Sequence, residues 1–73
     1  MLTGDYKSLG EALPAEIRRV REEIIPLYEE IGPSGKFAIL MMNEILKRAD
    51  AAVAEQDISK MIVSWSEVKD IKL

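Results

Sequence analysis

The sequence predicts a small all-α domain, a three-helix antiparallel bundle, and three observations support this fold class. The chain has 73 residues, its apolar residues recur at steps of three and four, and Pro and Gly interrupt that pattern at only a few points. Steps of three and four place side chains on one face of an α-helix, and a chain of this length forms a single domain. We expect helices over about residues 14–31, 34–55 and 57–71.

Residues 1–13 are interpreted as a loose leader, and residues 14–73 as the helical domain. The first ten residues include two Gly, a Thr, a Ser and an Asp, a composition typical of loops. Ser8 and Glu11 have the spacing of a capping box, which would support one short turn before the main helix. Pro14 is expected in the first turn of that helix, because Pro lacks an N–H and is tolerated there.

The first predicted helix carries one apolar stripe, which contains Pro26. Pro cannot donate a backbone hydrogen bond, and its ring crowds the preceding turn. Because apolar residues continue at helical spacing beyond Pro26, the sequence predicts a kink and not an end. The stripe consists of Ile17, Val20, Ile24, Leu27 and Ile31.

A short turn is predicted after Ile31. Gly32 suits the left-handed conformation that closes a helix, Pro33 cannot continue it, and Ser34 is the expected N-cap of the second helix. So short a turn predicts an antiparallel helical hairpin. The segment Gly32–Lys36 is only partly similar to a phosphate-binding P-loop, because Glu30 and Phe37 replace residues that the motif requires, so a plain turn is favoured.

The second predicted helix is apolar on more than one side, and the third follows Asp57. In the second helix two displaced stripes overlap, which indicates burial on more than one face. Asp57 is the expected N-cap of the third helix, because a carboxylate accepts the free N–H groups of the first turn. The stripes are Ile39, Met42, Leu46, Ala49 and Val53; Ala38, Met41, Ile45, Ala49 and Ala52; and, in the third helix, Ile58, Met61, Ile62, Trp65 and Val68.

Composition argues against several classes of function. The chain has no Cys and no His, so disulfides are excluded and the usual ligands of transition metals are missing; we predict no cofactor and no metal site. No nucleophile can be paired with His or Cys, so we predict no enzymatic activity and no catalytic residues. The acidic side chains are interpreted as a solvated face with ion pairs, for instance Glu44 with Arg48.

Binding of nucleic acid is the alternative function that the sequence leaves open. Arg18, Arg19 and Arg21 form a basic cluster, and three helices with a short turn can resemble a helix-turn-helix DNA-binding regulator. Against this, the formal net charge is -3, Glu22 and Glu23 follow the cluster directly, and the third predicted helix has no Arg, Asn or Gln to read bases. Nucleic acid is therefore not the expected partner.

Location is predicted from the missing targeting signals. The N-terminus lacks the basic and apolar regions of a signal peptide, and the longest apolar run, residues 37–42, is far shorter than a membrane span of about 20 residues. We expect a cytoplasmic protein that does not engage a membrane.

Protein–protein interaction is the function that the sequence favours. The second helix has more apolar surface than two helices and a leader can cover, and an uncovered apolar patch normally marks an interface. Met is common on such adaptable surfaces, and Trp is common among binding hot spots. We predict a small adaptor or regulator that binds a second copy of itself or another helical protein, through Phe37, Leu40, Met41, Ile45 and Trp65.

Overall fold

The computed structural model describes residues 9–72, and within that range the chain is entirely helical and turn, without strands. Within this range the four α-helices are α1 (Leu9–Arg19), α2 (Ile25–Ile31), α3 (Lys36–Glu55) and α4 (Ile58–Lys69). A π-helical turn, Val20–Ile24, joins α1 to α2 without a break, and a 3₁₀ turn, Pro33–Gly35, leads into α3. The described chain therefore folds as three helical stretches, 9–31, 36–55 and 58–69, as the sequence predicted.

Helix α1 begins at Leu9, earlier than the predicted start near Pro14. Pro14 lies inside the helix, while Leu9 and Leu13 are buried in the core. A Pro inside a helix costs about 3 kcal/mol, but burying a Leu side chain contributes about 1.5–3 kcal/mol. Two buried Leu residues offset that cost, so residues 9–13 are helical and not part of a leader. Ser8, the predicted cap, lies outside the described residues.

The π-helical turn lies directly before Pro26. The N–H of Ile25 donates to the carbonyl of Val20, five residues back, which widens the helix by one residue. We infer that the wider turn makes room for the Pro26 ring, and the helical path continues past it as predicted.

The extra residue of the π turn rotates α2 relative to α1. Ile25 and Tyr28 pack against the core, whereas Leu27 and Ile31 are exposed. The prediction that these two residues continue the buried stripe was therefore wrong. A straight α-helix has 3.6 residues per turn, so one inserted residue turns everything after it by about 100°.

The turn between α2 and α3 depends on two glycines. Gly32 has φ 93° and ψ -149°, so its φ is positive, which favours glycine, but it does not adopt the left-handed helical conformation that the sequence predicted. Gly35 is buried against the backbone of Tyr28, and a Cβ at this position would overlap the Tyr28 carbonyl oxygen. Ser34 lies in the 3₁₀ turn and does not cap α3; the N-cap is Gly35, without a side-chain hydrogen bond. That prediction was wrong because the 3₁₀ turn delays the start of α3.

The turn between α3 and α4 matches the prediction at Asp57. Gln56 ends α3 in the left-handed conformation, with φ 55°. The backbone N–H of Lys60 then donates to the Asp57 carboxylate at 3.1 Å, so Asp57 is the N-cap of α4. This cap satisfies a backbone donor that the first turn of a helix leaves free.

The face that α4 buries differs from the predicted stripe. Ile58 and Ile62 are exposed, while Ser64 is buried with Met61 and Val68. Small side chains let two helices approach closely, and α3 contributes Ala49 and Ala52 to the same core. The prediction selected the largest apolar residues and so missed Ser64.

Packing divides the molecule into two ends. We call the end that holds α1, α4 and residues 45–55 of α3 the three-helix end: these helices contact one another, and Arg48, Asp50 and Glu55 of α3 form the ion pairs to α4 and to Arg21. We call the end where α2 contacts α3, next to the Gly35 turn and residues 36–44, the two-helix end. The Arg19 guanidinium, at the end of α1, donates to the carbonyls of Val68, at 3.3 Å, and Ile71, at 3.0 Å, and so joins α1 to the C-terminal end of α4.

Candidate protein–protein interface

Three large apolar side chains stand exposed in the first two turns of α3. Phe37 is 73% exposed, Leu40 65% and Met41 52%. We call these three residues the apolar patch. All three were predicted interface residues, and nothing in residues 9–72 covers them. Exposed apolar groups that adjoin one another are typical of binding surfaces, whereas single ones are normal.

Phe37 and Met41 are exposed because α4 ends before it reaches their level along α3, whereas Leu40 lies on the outward face of the helix. Arg48 of α3 pairs with Glu67 of α4 at 3.6 Å, and Glu55 pairs with Lys60 at 3.0 Å. These two pairs show how the helices align, and α4 ends at Lys69, just beyond Glu67. With a rise of 1.5 Å per residue, the first two to three turns of α3, about 12 Å, extend past α4.

The other two predicted interface residues lie elsewhere. Ile45 and Trp65 are half-buried and pack against the core. Ile45 is one turn farther along α3 than Met41, and Trp65 belongs to α4. The structure therefore brings Phe37, Leu40 and Met41 into one surface, and leaves Ile45 and Trp65 largely engaged in the chain's own core.

Two exposed residues of the two-helix end were not predicted. Leu27 and Ile31 lie in α2, close to the turn that leads into α3 and the apolar patch. Sequence reasoning placed both in the core because it followed one stripe through Pro26. No sequence signal identifies them: Pro26 marks a disturbed turn, but Pro14 lies in regular α-helix, so a proline alone does not predict the π turn that rotates α2.

A second group of exposed apolar side chains lies on α4 and comprises Ile58, Ile62 and Val63. Val63 lines a shallow groove of about 450 Å³ between α3 and α4, together with the small residues Ala51, Ala52 and Ser59. The ion pairs Arg48–Glu67 and Glu55–Lys60 border this groove. Its floor is apolar and its charged residues are paired with each other.

The pKa of the Lys60 ammonium is raised above its ordinary 10.5. The main cause is the hydrogen bond to the Glu55 carboxylate, with further attraction from the charges of Glu55 and Asp57. The Lys60 ammonium is therefore fully charged at neutral pH. The pair is solvent-exposed, so we treat it as a surface ion pair and not as a reactive group.

The basic cluster is largely used within the chain. Arg19 bonds the carboxylate of Glu16 and two backbone carbonyls, and Arg21 pairs with Asp50 of α3. Only Arg18 of the cluster has no ion-pair partner within residues 9–72. The observed pairs explain the cluster as a link between α1 and its neighbours. The sequence suggested an ion pair between Arg48 and Glu44, but in the structure Arg48 pairs with Glu67.

Among residues 9–72, no three acidic side chains converge as they would around a metal ion. No helix in the described part of the chain combines the length and the apolar character needed to cross a bilayer. Comparisons with protein-family models, curated proteins and solved structures find no match for this chain.

Proposed function

We propose that the protein is a non-enzymatic interaction module, a small cytoplasmic adaptor or regulator that forms a homodimer through the apolar patch. Its three helical stretches would form an antiparallel bundle in each copy. The observation that carries the proposal is the concentration of large exposed apolar side chains where α3 extends past α4. Burying apolar surface is the main favourable term in most protein association.

The composition of α3 supports this reading. At the three-helix end, every exposed position of α3 is charged or Ala; these positions are Lys47, Arg48, Asp50, Ala51, Ala54 and Glu55. At the two-helix end, the exposed positions include Phe37, Leu40 and Met41. The helix is thus amphipathic where α4 covers it and apolar on several sides where α4 does not. A helix surface that contacts only water does not need three large apolar side chains.

The test compares two aspartate variants of similarly exposed residues. Leu40→Asp places a charge in the apolar patch, and Ile58→Asp places one at the far end, on α4, where the side chain is 61% exposed. We expect the mass of the unmodified protein, measured by light scattering, to rise with concentration to that of a dimer. Leu40→Asp should remain monomeric with unchanged helicity by circular dichroism, because an aspartate cannot be buried unpaired.

Ile58→Asp is the matched control and should dimerise like the unmodified protein. A monomer at every concentration would contradict the proposal. So would dimer loss in Ile58→Asp with a normal Leu40→Asp, which would move the interface to α4. Met41→Asp provides a second variant within the apolar patch and should behave like Leu40→Asp.

A further inference from the structure

The outward face of α3 carries opposite charges at equal distances from Leu40. Lys36 lies four residues before Leu40, and Glu44 lies four residues after it. Residues four apart occupy the same face of a helix, so the three form one exposed row. Within residues 9–72, neither Lys36 nor Glu44 has an ion-pair partner.

This row is self-complementary, and from it we infer how two copies pair: α3 packs antiparallel to α3 of the second copy, about a two-fold axis at Leu40. The inference rests on the homodimer proposed above. In this arrangement Leu40 meets Leu40 of the partner, and Lys36 of each chain faces Glu44 of the other. A two-fold interface makes each contact twice, so one charge pattern yields two ion pairs.

A parallel pairing would bring like charges together. With two α3 helices side by side in the same direction, Lys36 would face Lys36 and Glu44 would face Glu44. Like-charge contacts across an interface select against an arrangement, and opposite charges fix its register. Phe37 and Met41 flank the row on one side, so the antiparallel arrangement covers apolar side chains beside the charged pairs.

Charge reversal at the two positions tests the register. Lys36→Glu alone and Glu44→Lys alone each replace two attractive contacts with two repulsive ones, so each homodimer should weaken about tenfold at low salt. The double variant restores both pairs and should dimerise within about threefold of the unmodified protein. Both side chains are exposed, so the fold is not at risk, and circular dichroism checks this.

A mixture of the two single variants gives the sharper readout. One chain then has two acidic residues at these positions and the other has two basic ones, so the antiparallel heterodimer regains both ion pairs. With one chain isotope-labelled, native mass spectrometry should show more heterodimer than the statistical half. The excess should shrink as salt is raised, because exposed charges are screened.

The outcomes separate this inference from the proposed function. If Leu40→Asp abolishes the dimer but the charge variants all dimerise equally and mix statistically, the apolar patch is the interface and the antiparallel register is wrong. If the unmodified protein never dimerises, both are overturned. Heterodimer excess together with rescue in the double variant supports the register.

Discussion

The two halves of α3 differ in how many neighbours cover them, and their sequences differ to match. Residues 45–55 lie at the three-helix end, where α1 and α4 both pack, and they bury Leu46, Ala49 and Ala52. Residues 36–44 lie at the two-helix end and bury only Met42 among their residues. Yet the less covered half carries the larger exposed apolar side chains. The hydrophobicity of a helix therefore does not show by itself how much of it the monomer buries.

The largest effect that tests this comparison is expected from two leucines of the same helix. Leu46→Ala removes a side chain that is 1% exposed and leaves a cavity in the core, so it should lower the free energy of unfolding by about 2–5 kcal/mol. Leu40→Ala is the matched control, since Leu40 is mostly exposed. It should change monomer stability by less than about 0.5 kcal/mol. Urea denaturation at a concentration that favours the monomer measures both.

Equal destabilisation by Leu46→Ala and Leu40→Ala would contradict the proposed difference between the two halves of α3. It would mean that Leu40 is already covered within one chain, so that no free apolar patch exists. A Leu40→Ala monomer that is as stable as the unmodified protein but dimerises less would support that difference, because the Leu40 side chain would then stabilise the dimer and not the monomer.

The second effect concerns the turn that holds the two-helix end together. Gly35→Ala would place a Cβ against the Tyr28 carbonyl oxygen, and the backbone would have to shift. We expect a loss of about 1–3 kcal/mol, the usual cost of overpacking. Gly10→Ala is the control, because the space around Gly10 in α1 is open and Ala is the better helix former, and it should stabilise by up to about 1 kcal/mol.

Thermal denaturation of both glycine variants provides the measurement. A Gly35→Ala protein as stable as the unmodified one would mean that α2 and α3 can separate at the turn without cost. The contact between α2 and the first half of α3 would then be looser than the packing of Gly35 indicates.

Local features of the fold could be predicted from the sequence, and features that depend on helix alignment could not. Asp57 as a cap follows from the chemistry of a single residue, and this prediction was confirmed. A glycine was also expected at the end of the first helical stretch, and Gly32 has a positive φ there, although not the left-handed helical conformation. The exposure of Leu27 depends on one extra residue in the π turn, which periodicity does not show. Ser64 is buried although a hydrophobicity scale ranks Ser as a surface residue, because its burial depends on how closely α4 approaches α3.

The candidate interface shows the same division. The excess of apolar residues in α3 predicted an uncovered surface, and Phe37, Leu40 and Met41 are indeed exposed. Ile45 and Trp65 were included as well, but both are partly buried and pack against the chain's own core. The ion pairs Arg48–Glu67 and Glu55–Lys60 show how α3 and α4 align, and a pairing between two helices cannot be predicted from one helix at a time.

The smallest effect concerns the cap that starts α4 and so places it over the second half of α3. Asp57→Ala removes the acceptor for the Lys60 N–H and should cost about 1 kcal/mol in unfolding free energy, whereas Asp57→Asn keeps an oxygen acceptor and should cost much less. Comparing the two by urea denaturation near neutral pH isolates the hydrogen bond. Asp57 also contributes to the raised pKa of Lys60, and the stability from that interaction is present at neutral pH and is lost only as pH rises through the folded pKa. Both variants lose the Asp57 charge, so the difference between them does not include this interaction. If Asp57→Asn is as destabilised as Asp57→Ala, the carboxylate charge acts on the helix dipole, and the cap matters less than the geometry indicates. Neither variant should alter dimerisation, since α4 covers only the half of α3 that lies away from the apolar patch.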